Sequence, residues 1–222
     1  MLELLSPAGS PEAVIAAVQN GADAVYLGMG DFNARRGAKN FTEEEFEKAV
    51  RYCRIRGCKT YLTLNTVVND REIGAAVDAA RLASECGADG IIIQDLGLIS
   101  AIRRALPDIP LHASTQMSIH NLAGVQAAAE MGLTRAVLAR ELSLEEIAYI
   151  TKNAPIETEI FVHGALCFCH SGQCYMSSLI GRRSGNRGMC AQPCRMQYSL
   201  GGRMDDYPMS LKDNCLVDRL RE

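Results

Sequence analysis

CGADGIIIQD, residues 86–95, holds the pattern on which the fold turns. A glycine stands a few residues ahead of a short run of branched apolar residues, and polar residues close the run. The pattern recurs in NGADAVYLG (20–28), RGCKTYLTLN (56–65) and MGLTRAVLAR (131–140). Each glycine (Gly21, Gly57, Gly87, Gly132) is placed to end a helix in a left-handed conformation, which a residue without Cβ adopts at no steric cost. The run that follows is apolar nearly throughout, as a strand buried on both faces requires.

Outward from these repeats the alternation continues. Strands are expected at 2–9, 24–28, 60–65, 90–95, 110–115, 135–140 and 159–164. Helices are expected near 11–20, 43–56, 70–86, 96–105, 121–131 and 143–152. Ser10-Pro11 offers a cap followed by proline at the first helical position. Thr42-x-x-Glu45 and Ser143-x-x-Glu146 read as capping boxes, in which hydroxyl and carboxylate satisfy open backbone N–H groups reciprocally. Consecutive βα units imply a parallel sheet covered by helices. The expected fold class is α/β, a TIM-barrel-like parallel (β/α) repeat, with an open doubly wound sheet as the alternative. Seven strands are counted rather than eight, so the barrel is expected to be incomplete in this chain. Residues 1–165 form the barrel portion and 166–222 a cysteine-rich metal-cluster segment.

The 222 residues, 48% of them hydrophobic with net charge −3, suffice for one domain with a full core. No apolar stretch approaches the roughly 18 residues of a membrane span, and no charged leader precedes an apolar core. Nine cysteines, an odd number, argue against a secreted disulfide scaffold. A reducing cytoplasm is the expected location.

Six of those cysteines crowd the C-terminal end: Cys167, Cys169, Cys174, Cys190, Cys194 and Cys215. They contain no CxxC pair, so a zinc-ribbon knuckle is missing. Single thiolates dispersed over several loops suit an iron–sulfur cluster, with zinc as the alternative. Cys53, Cys58 and Cys86 read as packing residues.

In a parallel barrel, chemistry collects where strands finish. The polar residues there are Ser6, Asn65, Gln94, Asp95, Ser114, Thr115, Gln116, Arg140, Glu141 and His163. Asn65, Gln116 and His163 can offer directional hydrogen bonds to a flat polar ligand. Arg182, Arg183, Arg187 and Arg195 form a basic run with no acidic residue until Asp205, a pattern that can meet RNA phosphate. Gly28-Met29-Gly30 lacks the third glycine of a dinucleotide loop, and neither HExxH nor GxSxG is present.

The run EIFVHGALCFCHSGQCYMSS, followed by NRGMCAQPCR and SLKDNC, resembles the collagenase-like peptidase family U32. LLSPAG, NGADAVYLG, ASTQ and VLARELSL resemble the same family's N-terminal region, so the likeness covers essentially the whole chain. It implies kinship with oxygen-independent hydroxylation proteins that act on RNA bases or on a quinone precursor. It also implies a 4Fe-4S cluster on Cys167, Cys174, Cys190 and Cys215, with Cys194 as an alternative to Cys215. The expected function is thus an iron–sulfur-dependent enzyme hydroxylating an RNA base. The family name implies a peptidase instead, for which Glu159 and His163 are the candidate base and ligand. Four residues apart on one strand would separate them by about 13 Å, which weakens that reading. A third possibility is a cluster-bearing subunit supporting a homologous partner.

Overall fold

The computed structural model describes residues 2–34, 36, 40–205, 207–210 and 213–215, with backbone alone for 200, 203–205 and 213–215. Seven strands form one sheet in chain order: β1 (Leu5–Pro7), β2 (Ala24–Leu27), β3 (Lys59–Leu64), β4 (Gly90–Ile93), β5 (Leu111–Ala113), β6 (Arg135–Val137) and β7 (Glu157–Glu159). Every adjacent pair is parallel. Among the described residues β1 and β7 are not paired with each other, so the sheet is open. This is the expected α/β half-barrel.

Six helices connect the strands: α1 (Pro11–Gln19), α2 (Glu43–Ile55), α3 (Ile73–Cys86), α4 (Leu96–Ala105), α5 (Leu122–Glu130) and α6 (Leu144–Asn153). Their boundaries follow the local chemistry. Ser10 caps α1 with Pro11 in its first turn, and both capping boxes close, Thr42 with Glu45 and Ser143 with Glu146. The four repeat glycines all take positive φ, between 70° and 89°. The helix expected from residue 70 begins only at Ile73. Asn69 and Glu72 close a turn first: the Asn69 N–H donates to Glu72 Oε2 (2.9 Å) and the Glu72 N–H to the Asn69 carbonyl (2.9 Å).

Strand side chains alternate between two environments. Val25, Leu27, Leu62, Leu64, Ile91 and Ile93 join the main core beneath the helices, as do Cys53 and Cys58. Ala24, Tyr61 and Ile92 pack on the other face with Leu5 and Tyr26. That inner face is polar toward the strand starts. Arg135 holds Glu3 (2.6 Å), Glu157 (2.6 Å) and Glu159 (3.5 Å), and Lys59 adds a contact to Glu3 (2.7 Å). His112 stacks edgewise on Tyr61 with ring centroids 4.7 Å apart. Burial, helped by the Arg135 charge, lowers its pKa to about 4.

The expected strand at 159–164 is corrected. Glu159 ends β7, and His163–Ala165 forms a separate strand, β8, antiparallel to β11 (Asp213–Cys215). The chain leaves the barrel sheet between Glu159 and His163, and Gly164, inside β8, takes φ 129°. Beyond it lie helix α7 (Met176–Gly181) and the antiparallel pair β9 (Tyr198–Leu200) and β10 (Arg203–Asp205).

Candidate functional site

The cysteine-bearing segment lies over the C-terminal ends of the strands, where a series of hydrogen bonds fixes it. Gln94, just after β4, donates from Nε2 to the Asn65 carbonyl (2.9 Å), to Gln116 Oε1 (3.3 Å) and to the Asn186 carbonyl (3.4 Å). The Val67 N–H donates to the same Asn186 carbonyl (3.1 Å). Arg187 forks onto Glu72, with Nη1 3.0 Å from Oε2 and Nη2 2.6 Å from Oε1. Ser171 is fully buried and touches two barrel loops at once, those after β5 and β6. Its N–H donates to Glu141 Oε1 (2.8 Å), its carbonyl accepts from the Ser118 hydroxyl, and its own hydroxyl meets Thr115 Oγ1 (3.4 Å).

Two glycines make this approach possible. At Gly172 (φ 72°) a Cβ would stand 2.1 Å from the Gln116 carbonyl oxygen. At Gly188 (φ 73°) it would stand 2.1 Å from the Asn33 carbonyl oxygen. Both clashes are with backbone, so no side-chain motion could relieve them.

Asn65 and Gln116 face this junction half-buried. The Asn65 Oδ1 accepts from the Ala34 N–H (2.9 Å), and Gln116 Oε1 accepts from Gln94. Their amide NH2 groups remain as donors, with the O and N positions assigned from these partners. Gln94 is the hub, and its central place was hidden in a sequence that shows it only as one polar strand end among ten.

Glu159 and His163 occupy different surroundings. Glu159 turns into the barrel against Arg135, whereas His163 is exposed on β8. Burial pushes the Glu159 carboxyl up to about 7, and the Arg135 charge only partly opposes it. The ion pair and the raised value agree once Arg135 is seen to be engaged more closely by Glu3 and Glu157. Glu159 and His163 share no hydrogen bond or ion pair, and the wide concavity of about 770 Å³ opens near Lys59, His112 and Arg135, at the strand starts.

The thiols gather above the opposite end. Cys169 and Cys174 are within hydrogen-bonding reach, and burial together with Cys174, Cys167 and Cys194 raises the Cys169 pKa. Cys194 is raised by burial and by Cys167 and Cys190. Crowded thiols of this kind oppose one another's ionisation until a cation compensates them. The Gln192 N–H points at Cys190 Sγ (3.3 Å), a contact that would stabilise a thiolate ligand. A single tetrahedral zinc would draw thiolates to about 3.8 Å from one another. Among the described residues no three of these thiols lie within 4.8 Å of one another. The Cys215 side chain lies outside the described residues.

The basic run divides. Arg182 and Arg183 are exposed, whereas Arg195 donates to the Leu166 carbonyl (3.1 Å). Arg187, expected to meet phosphate, is paired with Glu72.

This arrangement has known counterparts. Residues 9–222 match the pattern of Peptidase family U32. The chain is 40% identical over 230 residues to "tRNA hydroxylation protein P1" of Bacillus subtilis, covering 98% of this chain and 54% of that protein. It is 40% identical over 219 residues to the "23S rRNA 5-hydroxycytidine C2501 synthase" of Escherichia coli, covering 96% of this chain and 33% of that protein. The chain thus spans about half the length, or less, of these relatives. The solved U32 peptidase Mk0906 shares its fold with a TM-score of 0.61 at 16% identity, covering 74% of this chain and 70% of that one. The parallel fold is thus shared with a solved U32 structure, and the chain belongs to Peptidase family U32.

Proposed function

We propose that this chain is the cluster-bearing part of an enzyme that hydroxylates a base in RNA. The observation that carries the reading is the cysteine segment held over the strand ends, where Gln94 joins its Asn186 carbonyl to Asn65 and Gln116. Two relatives at 40% identity, named for hydroxylation of tRNA and of an rRNA cytidine, support the substrate class.

Cys167, Cys174 and Cys190, with Cys215 or Cys194, would hold the iron–sulfur cluster, which supplies electron transfer when bound. The chain's own part is positioning. The NH2 groups of Asn65 and Gln116 offer donors to the edge of a flat base, and Gln94 fixes both residues through its own amide. Exposed Arg182 and Arg183 lie in the same segment and can meet the phosphates on either side of that base. Hydroxylation exchanges a C–H bond for C–OH, so a separate donor must deliver the oxygen atom. No helix among the described residues is long and apolar enough to cross a membrane, and a soluble RNA-modifying enzyme in the cytoplasm fits this reading.

Proteolysis is the weaker reading, because the Glu159 carboxylate is turned toward Arg135 and away from any shared site with His163. The test is nucleoside mass spectrometry of tRNA and rRNA from cells lacking the full-length protein. A hydroxylated nucleoside should vanish, return with the wild-type gene, and stay absent with Cys174→Ser. Unchanged nucleosides, together with cleavage of casein by rigorously purified protein, would replace this reading with the peptidase.

A further inference from the structure

His120, Glu141 and His170 present one ligand atom each, all within 4.8 Å of one another. We propose that these three residues bind a divalent transition-metal ion of the zinc, cobalt or iron(II) class, at a site separate from the thiols. The inference stands independently of the iron–sulfur reading.

Two of the three ligands are held by their neighbours. His120 Nδ1 lies 2.6 Å from the Ser118 carbonyl oxygen. A carbonyl can only accept, so Nδ1 is the donor of that contact, and Nε2 is the ring atom turned toward Glu141. That Nε2 stands 3.5 Å from Glu141 Oε2. The distance is long for a charge-assisted hydrogen bond, which closes to about 2.7–2.9 Å. It matches the edge of a tetrahedron around one ion, where bonds of about 2.0–2.1 Å place neighbouring ligand atoms about 3.4 Å apart. Glu141 is oriented from its other side: the Ser171 N–H donates to Oε1 (2.8 Å), and the Ser171 hydroxyl lies 3.3 Å from both oxygens. His170 completes the set, its ring 5.9 Å from that of His120 and inclined by 61°.

Carbonyl-anchored imidazole and hydrogen-bonded carboxylate are the outer-shell contacts that hold metal ligands in place. Two imidazoles and one carboxylate form a borderline donor set, unlike the soft thiolates nearby. Three protein ligands leave at least one coordination position to water or a small anion. The ligands come from the loop after β5, the loop after β6 and the cysteine segment, so a bound ion would clamp that segment to the barrel. His170 sits one residue past Cys169, and the clamp therefore acts on the thiol-bearing turn directly.

Cobalt(II) is the probe, added without oxygen to the full-length protein carrying whatever cluster it holds. The expected result is one saturable equivalent with ligand-field absorption of nitrogen and oxygen donors and no added sulfur-to-metal charge transfer. His170→Ala and His120→Ala should each weaken it at least about tenfold. Glu141→Gln, which keeps an acceptor for Ser171, should do the same while thermal stability without metal holds. Binding that shows only sulfur charge transfer, or that is indifferent to His120→Ala and Glu141→Gln, would overturn the site. So would the lack of any saturable binding.

Discussion

Arg187 and Glu72 meet in a two-pronged ion pair, Nη1 to Oε2 at 3.0 Å and Nη2 to Oε1 at 2.6 Å, that fastens the cysteine segment to the turn before α3. Arg187 Nη1 also reaches the Val67 carbonyl (3.3 Å), so one guanidinium spans turn and loop. Breaking the fork should loosen the segment. Arg187→Lys keeps the charge but not the planar two-point geometry. Amide hydrogen exchange around residues 185–190 should accelerate in Arg187→Lys and more so in Arg187→Ala, while exchange in β3 and β4 stays slow. Equal protection in all three proteins would show that the fork is ornamental.

RNA affinity should depend on the arginines that the fork leaves outside. The double variant Arg182→Ala, Arg183→Ala should bind tRNA more weakly. The slope of log affinity against log salt should flatten by about 0.7 for each phosphate of single-stranded RNA that is no longer neutralised. Iron content should not change. An unaltered slope would place RNA elsewhere on the molecule.

Close approach of backbones makes Gly172 sensitive. Gly172→Ala must shift the Gln116 carbonyl and hold alanine at φ 72°, at a cost of at least about 1–2 kcal/mol. Gly181→Ala is the control, since nothing lies within 4 Å of its Cβ position. Urea unfolding should separate the two variants clearly. A Gly172→Ala protein as stable as the control would mean that the segment does not pack against Gln116.

The barrel interior carries a pH signature. Glu159 has a folded pKa of about 7 against an ordinary 4.5, because it is buried. The folded state therefore holds the extra proton, and stability from this group falls as pH rises from 4.5 through 7. Glu3 runs the other way. Burial raises it, but hydrogen bonds from Arg135 and Lys59 outweigh that and hold it at about 2, so its contribution is present above pH 4.5 and lost as pH falls toward 2. Glu159→Gln should match wild type near pH 5 and exceed it at pH 8 by on the order of 2 kcal/mol. The comparison of urea midpoints at the two pH values reads this directly, and a variant less stable at pH 8 would show the carboxylate to be a needed partner of Arg135.

The six connecting helices and six of the barrel strands were legible because local chemistry writes them. Capping boxes, a proline after Ser10 and glycines at helix ends are short-range signals, and the structure uses all of them. The end of β7 was not legible. EIFVHG is apolar enough for one strand, and the break before His163 shows only in the pairing of β8 with β11, about fifty residues away. The site divides in the same way. Crowded cysteines announce themselves by spacing, whereas Gln94 and Ser171 matter only through what the folded barrel brings to them. Arg187 looked like its basic neighbours until Glu72, 115 residues earlier, came into contact with it. His120 and His170 carry no shared motif, and fifty residues separate them, so only the fold sets them beside Glu141.

Iron and acid-labile sulfide, measured on anaerobically purified full-length protein, decide whether a cluster sits on the gathered thiols. A brown protein with iron and sulfide in equal amounts is expected, bleached by Cys174→Ser and unaffected by Cys53→Ser, whose thiol is buried in the main core. A colourless protein holding a single zinc on these thiols, with neither iron nor sulfide, would contradict the cluster and the hydroxylation chemistry built on it.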